Sequence, residues 1–179
     1  MNKRMVPLVI LIAVVALLAA TLPAFGAPPQ ATTISGLECI YVDTPGEMEI
    51  IGQTVFIRGQ VNVNRFISDD PTAFPDGTNT AVLDVRVSRK TGMIIWSAEA
   101  VFQPDEMEGT FEGTGLGWFK TDPVTGAVLD GKGVGVFHGT GELEGLTLKQ
   151  DLYPGDPTEC PGTAFDASRW QGFIVPPEP

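Results

Sequence analysis

The chain has 179 residues, with 22 acidic side chains against 11 basic ones and a formal charge of −11. That balance argues against nucleic acid and anionic lipid as partners, since both are polyanions. Two cysteines with no CxxC or metal-ligand spacing argue against dithiol redox chemistry and a structural zinc site.

Residues 1–26 carry the marks of a secretory signal peptide. Lys3 and Arg4 give a basic start, an apolar run follows, and Ala24-Phe25-Gly26 places small residues where a signal peptidase reads. The apolar run is about 17 residues, short of the roughly 20 that a spanning helix needs. Cys39 lies too far downstream to be a lipidated cysteine. The expectation is therefore cleavage after Gly26, no stable membrane anchor afterwards, and a secreted or extracytoplasmic protein in the periplasm or at the cell exterior.

Residues 27–35 read as a flexible lead-in, residues 36–175 as one domain and residues 176–179 as a disordered tail. The domain shows no heptads and no amphipathic helix. With 21 Gly and 15 Pro in the chain, its β-rich runs sit between turn signals, the pattern of an all-β domain. A short strand is predicted over residues 37–42 and a longer one over residues 54–66. In the longer one Val55, Ile57, Gly59, Val61 and Val63 share one face, and Arg58, Gln60, Asn62 and Asn64 the other. Strict alternation of this kind predicts the valine face inward and the polar face outward. Residues 68–79 form a long acidic loop.

Two hairpins share a loop chemistry, Ser88-Arg89-Lys90-Thr91-Gly92 and Asp122-Pro123-Val124-Thr125-Gly126, each with glycine in the left-handed position. In the first, pairing Ser88 with Met93 puts Val87 opposite Ile94, Val85 opposite Trp96 and Leu83 opposite Ala98. In the second, pairing Asp122 with Ala127 puts Gly113 opposite Val136, Gly115 opposite Val134 and Gly117 opposite Lys132. Every glycine then faces a side chain that can cover it. A three-residue turn at Gly139-Thr140-Gly141 leads into a strand over residues 142–153, with His138 opposite Glu142 and Val136 opposite Glu144. A last strand is predicted over residues 170–175. Seven or eight strands with short connections predict a single antiparallel barrel; a β-sandwich is the alternative.

Cys39 and Cys160 form an even pair in an oxidising compartment, so a disulfide joining the first strand to the C-terminal segment is expected. It would close a loop of about 120 residues, which contributes about 4–5 kcal/mol in the chain-entropy treatment. The alternative is a buried pair of thiols.

His138, Glu142 and Glu144 are the candidate catalytic residues, because a histidine oriented by a carboxylate can move protons. Lys132, His138 and Glu144 are candidate ligand contacts, since the expected register places them on the face that carries Val134 and Val136. No metal or cofactor is expected: Asp69, Asp70, Asp76 and Asn79 lack EF-hand spacing, and turn formation accounts for them. Trp118 and Trp170 are candidate sugar platforms, and Trp96 reads as core.

The segment Met107-Glu108-Gly109-Thr110-Phe111-Glu112-Gly113-Thr114-Gly115, followed by Gly139-Thr140-Gly141-Glu142-Leu143-Glu144-Gly145-Leu146, resembles the glycine-rich hairpins of allene oxide cyclase-like and dirigent-like barrels. The resemblance covers residues 107–152. It implies an eight-stranded barrel with an apolar lumen, and no catalytic position of those families transfers residue by residue.

Three functions follow as expectations. The first is a secreted non-catalytic barrel that binds a small apolar or amphipathic ligand in its lumen, favoured because no nucleophile motif such as GxSxG is present. The second is an isomerase or cyclase-type enzyme using His138, Glu142 or Glu144. The third is a carbohydrate-binding module.

Overall fold

The structure, a computed structural model, describes residues 31–164 and 166–177. The expected export leader lies outside these residues. Nine strands follow in order: β1 (Thr32–Thr44), β2 (Glu47–Ile51), β3 (Thr54–Ser68), β4 (Gly77–Ser88), β5 (Met93–Pro104), β6 (Phe111–Thr121), β7 (Val128–Gly139), β8 (Thr147–Pro154) and β9 (Asp166–Val175). All neighbours are antiparallel. β1 pairs with both β9 and β3, so eight strands close into one barrel. β2 is the extra strand. It pairs with the first half of β3, beyond the point where β1 ends. A closed barrel, and not a sandwich, is the architecture. β1 starts at Thr32, inside the segment expected to be a lead-in, because Thr32 to Ser35 find partners along β9.

The first hairpin has the expected register. Ser88 faces Met93, and Val87, Val85 and Leu83 face Ile94, Trp96 and Ala98. Gly92 takes the left-handed conformation at φ 67° and its N–H donates to the Ser88 carbonyl, which closes the turn.

β3 departs from its apparent alternation. Its pairing with β4 shifts between Ile57 and Gln60, a bulge at Arg58 and Gly59. Gly59 sits at φ 68°, where a side chain is strained, and its N–H donates to Asp84 Oδ1 at 3.0 Å. Ile57 faces the barrel interior before the bulge. After it the phase inverts, and Gln60, Asn62 and Asn64 turn inward while Val61 and Val63 turn outward. The expected polar face is thus an inner face over half the strand.

The β6–β7 register also differs from expectation by one residue. The loop pairs Asp122 with Ala127 as anticipated, but a bulge at Leu129 slips every later pair. Gly115 faces Gly135 and Gly117 faces Gly133. At Gly117 and Gly133 glycine opposes glycine because a third strand covers both. The Trp96 indole of β5 lies across them, and a Cβ on Gly117 or Gly133 would come within 2.6 or 2.5 Å of its Cζ2. The slip also sends Val134, Val136, Lys132 and His138 of β7 outward and Phe137 inward.

One end of the barrel is filled. Phe66, Phe102, Phe111, Phe137 and Trp170 are buried there, and Phe74, folded in from the long loop, plugs the end against Phe66 and Phe102. Burying rings of this size supplies most of the core's hydrophobic stabilisation. A second, smaller cluster lies outside the barrel. There Cys39 of β1 is bonded to Cys160, with Cα atoms 5.8 Å apart, which pins the segment before β9 over Leu37 and Ala167.

Candidate functional site

The other end of the barrel is not filled. A cavity of about 330 Å³ occupies the lumen above the aromatic plug. Its volume is at the lower end of the range for small-molecule sites, roughly 300–1,000 Å³. On the side of β4, β5 and β6 its upper wall is apolar. Val85, Val87, Ile94, Trp96 and Phe119 come from the β4, β5 and β6 ends that flank the mouth, with Leu152 facing them from β8. The alternation of β4 and β5 puts these residues on one side of the sheet, and the paired glycines of β6 and β7 leave room for the Trp96 ring against the wall.

Between this wall and the plug lies a polar belt. Glu38 of β1 is 3 % exposed and accepts three hydrogen bonds. Asn64 Nδ2 and Asn79 Nδ2 donate to its Oε1 at 2.8 and 2.7 Å, and Trp170 Nε1 donates to its Oε2 at 2.9 Å. Three N–H donors complement a carboxylate. The arrangement follows from the fold. The β3 bulge brings Asn64 inward, where it pairs directly with Asn79 of β4, and both amides reach Glu38 of β1 across the lumen. Ser168 of β9 and Gln150 of β8 complete the belt, both buried.

The amide groups are not fully satisfied. With their nitrogens committed to Glu38, Asn64 and Asn79 present Oδ1 atoms that are buried without a hydrogen-bond partner, and Gln150 Oε1 is in the same state. A buried acceptor left in this way costs about 1–3 kcal/mol. Trp96 Nε1 also lacks a partner. Asp166 lines the cavity one step from Ser168 toward the mouth. It touches solvent, yet the crowding of the wall pushes its carboxyl above the ordinary carboxylate value, against the opposing bond from the Ala167 N–H.

The residues singled out from sequence lie elsewhere. His138 is exposed on the outer face and sits opposite Thr147, whose Oγ1 is 3.5 Å from its Nδ1. Glu142 lies in a turn of 3-10 helix at Gly141–Leu143, and Glu144 follows it; both are exposed. The connection is longer than a three-residue turn, so β8 begins only at Thr147 and His138 is not cross-strand to either glutamate. Lys132 is on the outer face as well. It donates to Asp151 Oδ2 at 3.3 Å, which raises its ammonium pKa. No candidate catalytic or ligand-contact residue from sequence lines the lumen. Trp118 is on the outer face, and Trp170 is 1 % exposed in the plug, so Trp170 offers no sugar platform.

The acidic loop spends its oxygens on its own turns and on two arginines, Asp69 facing Arg169 and Asp76 facing Arg65. Asp70 accepts from the Thr72 hydroxyl and from the Thr72 and Ala73 N–H groups, which hold its carboxyl below the usual range, and Asp76 accepts from the Ser68 N–H. Among the described residues no three His, Cys, Asp or Glu side chains gather as a metal site.

The lumen residues that sequence reasoning missed are Glu38, Asn64, Asn79 and Gln150. One signal pointed to Asn64: Gly59 inside a strand pattern marks a bulge, and a bulge inverts the faces beyond it. Comparison of the chain with protein-family models, curated proteins and solved structures finds no match.

Proposed function

We propose that this protein is a secreted, non-catalytic barrel that binds a small amphipathic molecule in its lumen. The observation that carries this reading is the cavity itself: an apolar wall above a floor of buried polar side chains whose acceptors lack partners. An apolar wall takes an apolar body, and a few fixed polar groups orient a polar head. An apolar lumen is also what the resemblance to allene oxide cyclase-like and dirigent-like barrels implies. Export is supported by the leader's composition and by the disulfide, which persists in oxidising compartments.

The reading is tested by native mass spectrometry of protein purified from its source, before and after solvent extraction, together with Ala98→Phe. Ala98 lines the cavity, so a phenyl ring there occupies the space of a ligand. A small molecule bound to the native protein and absent from folded Ala98→Phe supports the reading. A native protein of unchanged mass after extraction, with equal uptake of small amphipathic probes by both proteins, refutes it.

A further inference from the structure

The chemistry of the lumen narrows the ligand, on the reading that the lumen is a binding site. Glu38 is a carboxylate deep in the barrel, and no salt bridge among the described residues involves it. Asp166 is a second carboxylate on the same cavity, and the described lining residues include no Lys, Arg or His. The unpartnered atoms of the floor lean the same way: they are acceptors, and the unpartnered donor, Trp96 Nε1, sits in the wall above them. Asn64 and Asn79 must turn their nitrogens toward Glu38, because a carboxylate only accepts. That choice fixes both Oδ1 atoms as acceptors. Gln150, whose amide has no partner among the described residues, is free to turn its Oε1 to the same point, and Glu38 Oε2, with one donor, retains capacity for another. All three amide residues are more than nine-tenths buried. The floor therefore presents acceptors and negative charge, and what it lacks is a positive group with several N–H donors.

We propose that the ligand is a protonated primary amine on a small aryl or alkyl body. Its ammonium is seated among Glu38, Asn64, Asn79 and Gln150, and its body lies along Leu83, Val85 and Trp96. A primary ammonium carries one positive charge and three donors on a compact head, which matches the deficit. A carboxylate head is repelled, and a hydroxyl supplies one donor and no charge. Asp166 lies near the entry path and adds to the attraction for a cation.

The test compares four probes of similar shape on the purified protein by isothermal titration calorimetry, with intrinsic tryptophan fluorescence as a second signal: 2-phenylethylamine, its N,N,N-trimethyl derivative, 2-phenylethanol and 3-phenylpropionate. The amine should bind at least about tenfold tighter than the alcohol, the least that a charge-assisted hydrogen bond contributes. The trimethyl derivative keeps the charge without N–H donors and should fall between them, and 3-phenylpropionate should be the weakest. Glu38→Gln should remove the preference for amine over alcohol. Asp166→Asn, farther from the buried network, should reduce it if Glu38→Gln does not fold. Equal affinity for amine and alcohol, or tighter binding of 3-phenylpropionate, overturns the amine assignment and leaves the lumen reading standing. No binding of any probe to folded protein with its disulfide intact overturns both.

Discussion

Gln150→Met should stabilise the protein while weakening its binding site. Gln150 is 7 % exposed, its Oε1 has no partner, and its Cγ lies against Gly135 in the lumen wall. Methionine is unbranched and nearly as long, so it can follow the same path across Gly135. The unpartnered amide oxygen costs about 1–3 kcal/mol, and a thioether has no comparable need of a donor. Against this, a near-isosteric swap in a packed wall costs less than about 1.5 kcal/mol. The balance is a gain of about 1 kcal/mol, or a rise in Tm of about 2–4 °C for a domain of this size. Differential scanning calorimetry on ligand-free protein reads it, with circular dichroism confirming the same β content. The amine affinity of the variant should fall, because one acceptor is gone. A Tm lower than that of the parent would refute the reasoning. It would mean that the amide oxygen is satisfied in the folded state, for instance by a fixed water, and that the floor holds no unmet demand for donors.

Gly133→Ala should destabilise by about 1–3 kcal/mol through overpacking, since its Cβ would sit 2.5 Å from Trp96 Cζ2, and Trp96→Phe in the same chain should recover part of the loss in urea titrations. Gly59→Ala meets no atom within 4 Å, so its cost should be the backbone strain of a positive φ alone, about 1–2 kcal/mol, and a larger loss would show that the bulge is needed for more than its conformation. Replacing Cys39 and Cys160 together by alanine opens a 121-residue loop. The loss should be about 4–5 kcal/mol, seen as a Tm fall of roughly 10–20 °C, and a much smaller fall would place the constraint elsewhere. Asp166 gives a pH-dependent case. Its folded pKa is raised above 3.8 by crowding, so the folded state holds the proton more tightly than the unfolded chain. That contribution is present below about pH 3.8 and is lost as pH rises through the folded value. Asp166→Asn should therefore be stabilising at neutral pH and without that gain at about pH 3, as measured by urea unfolding at the two pH values.

Alternation revealed the barrel and concealed its site, and both outcomes have one cause. Period-two patterning says which residues share a face, and it says so only between bulges. Where no bulge intervenes, as in β4 and β5, the pairing of Val85 with Trp96 and Leu83 with Ala98 follows from the loop chemistry and the apolar pattern alone. In β3 the same rule is correct as far as Ile57 and inverted after Gly59, so Asn64, one of the two asparagines that grip Glu38, reads as a solvated edge. Gly59 carried a warning, because glycine inside a strand has a positional meaning. The Leu129 bulge carried none. A leucine takes the extra position there at a negative φ, and nothing nearby in sequence distinguishes it from its neighbours. The glycine stripes of β6 and β7 showed that some ring must cover them, but not that it would be Trp96 from a third strand. Glu38 was hidden for a different reason. Its donors are Asn64, Asn79 and Trp170, up to 132 positions away, and only barrel closure through β1 brings them together. A polar residue flanked by valines in a barrel strand therefore has two readings, outer coat or luminal floor. In this chain the bulge at Gly59 selects the second for Asn62 and Asn64, and the Asn64 donor to Glu38 depends on that single inserted residue.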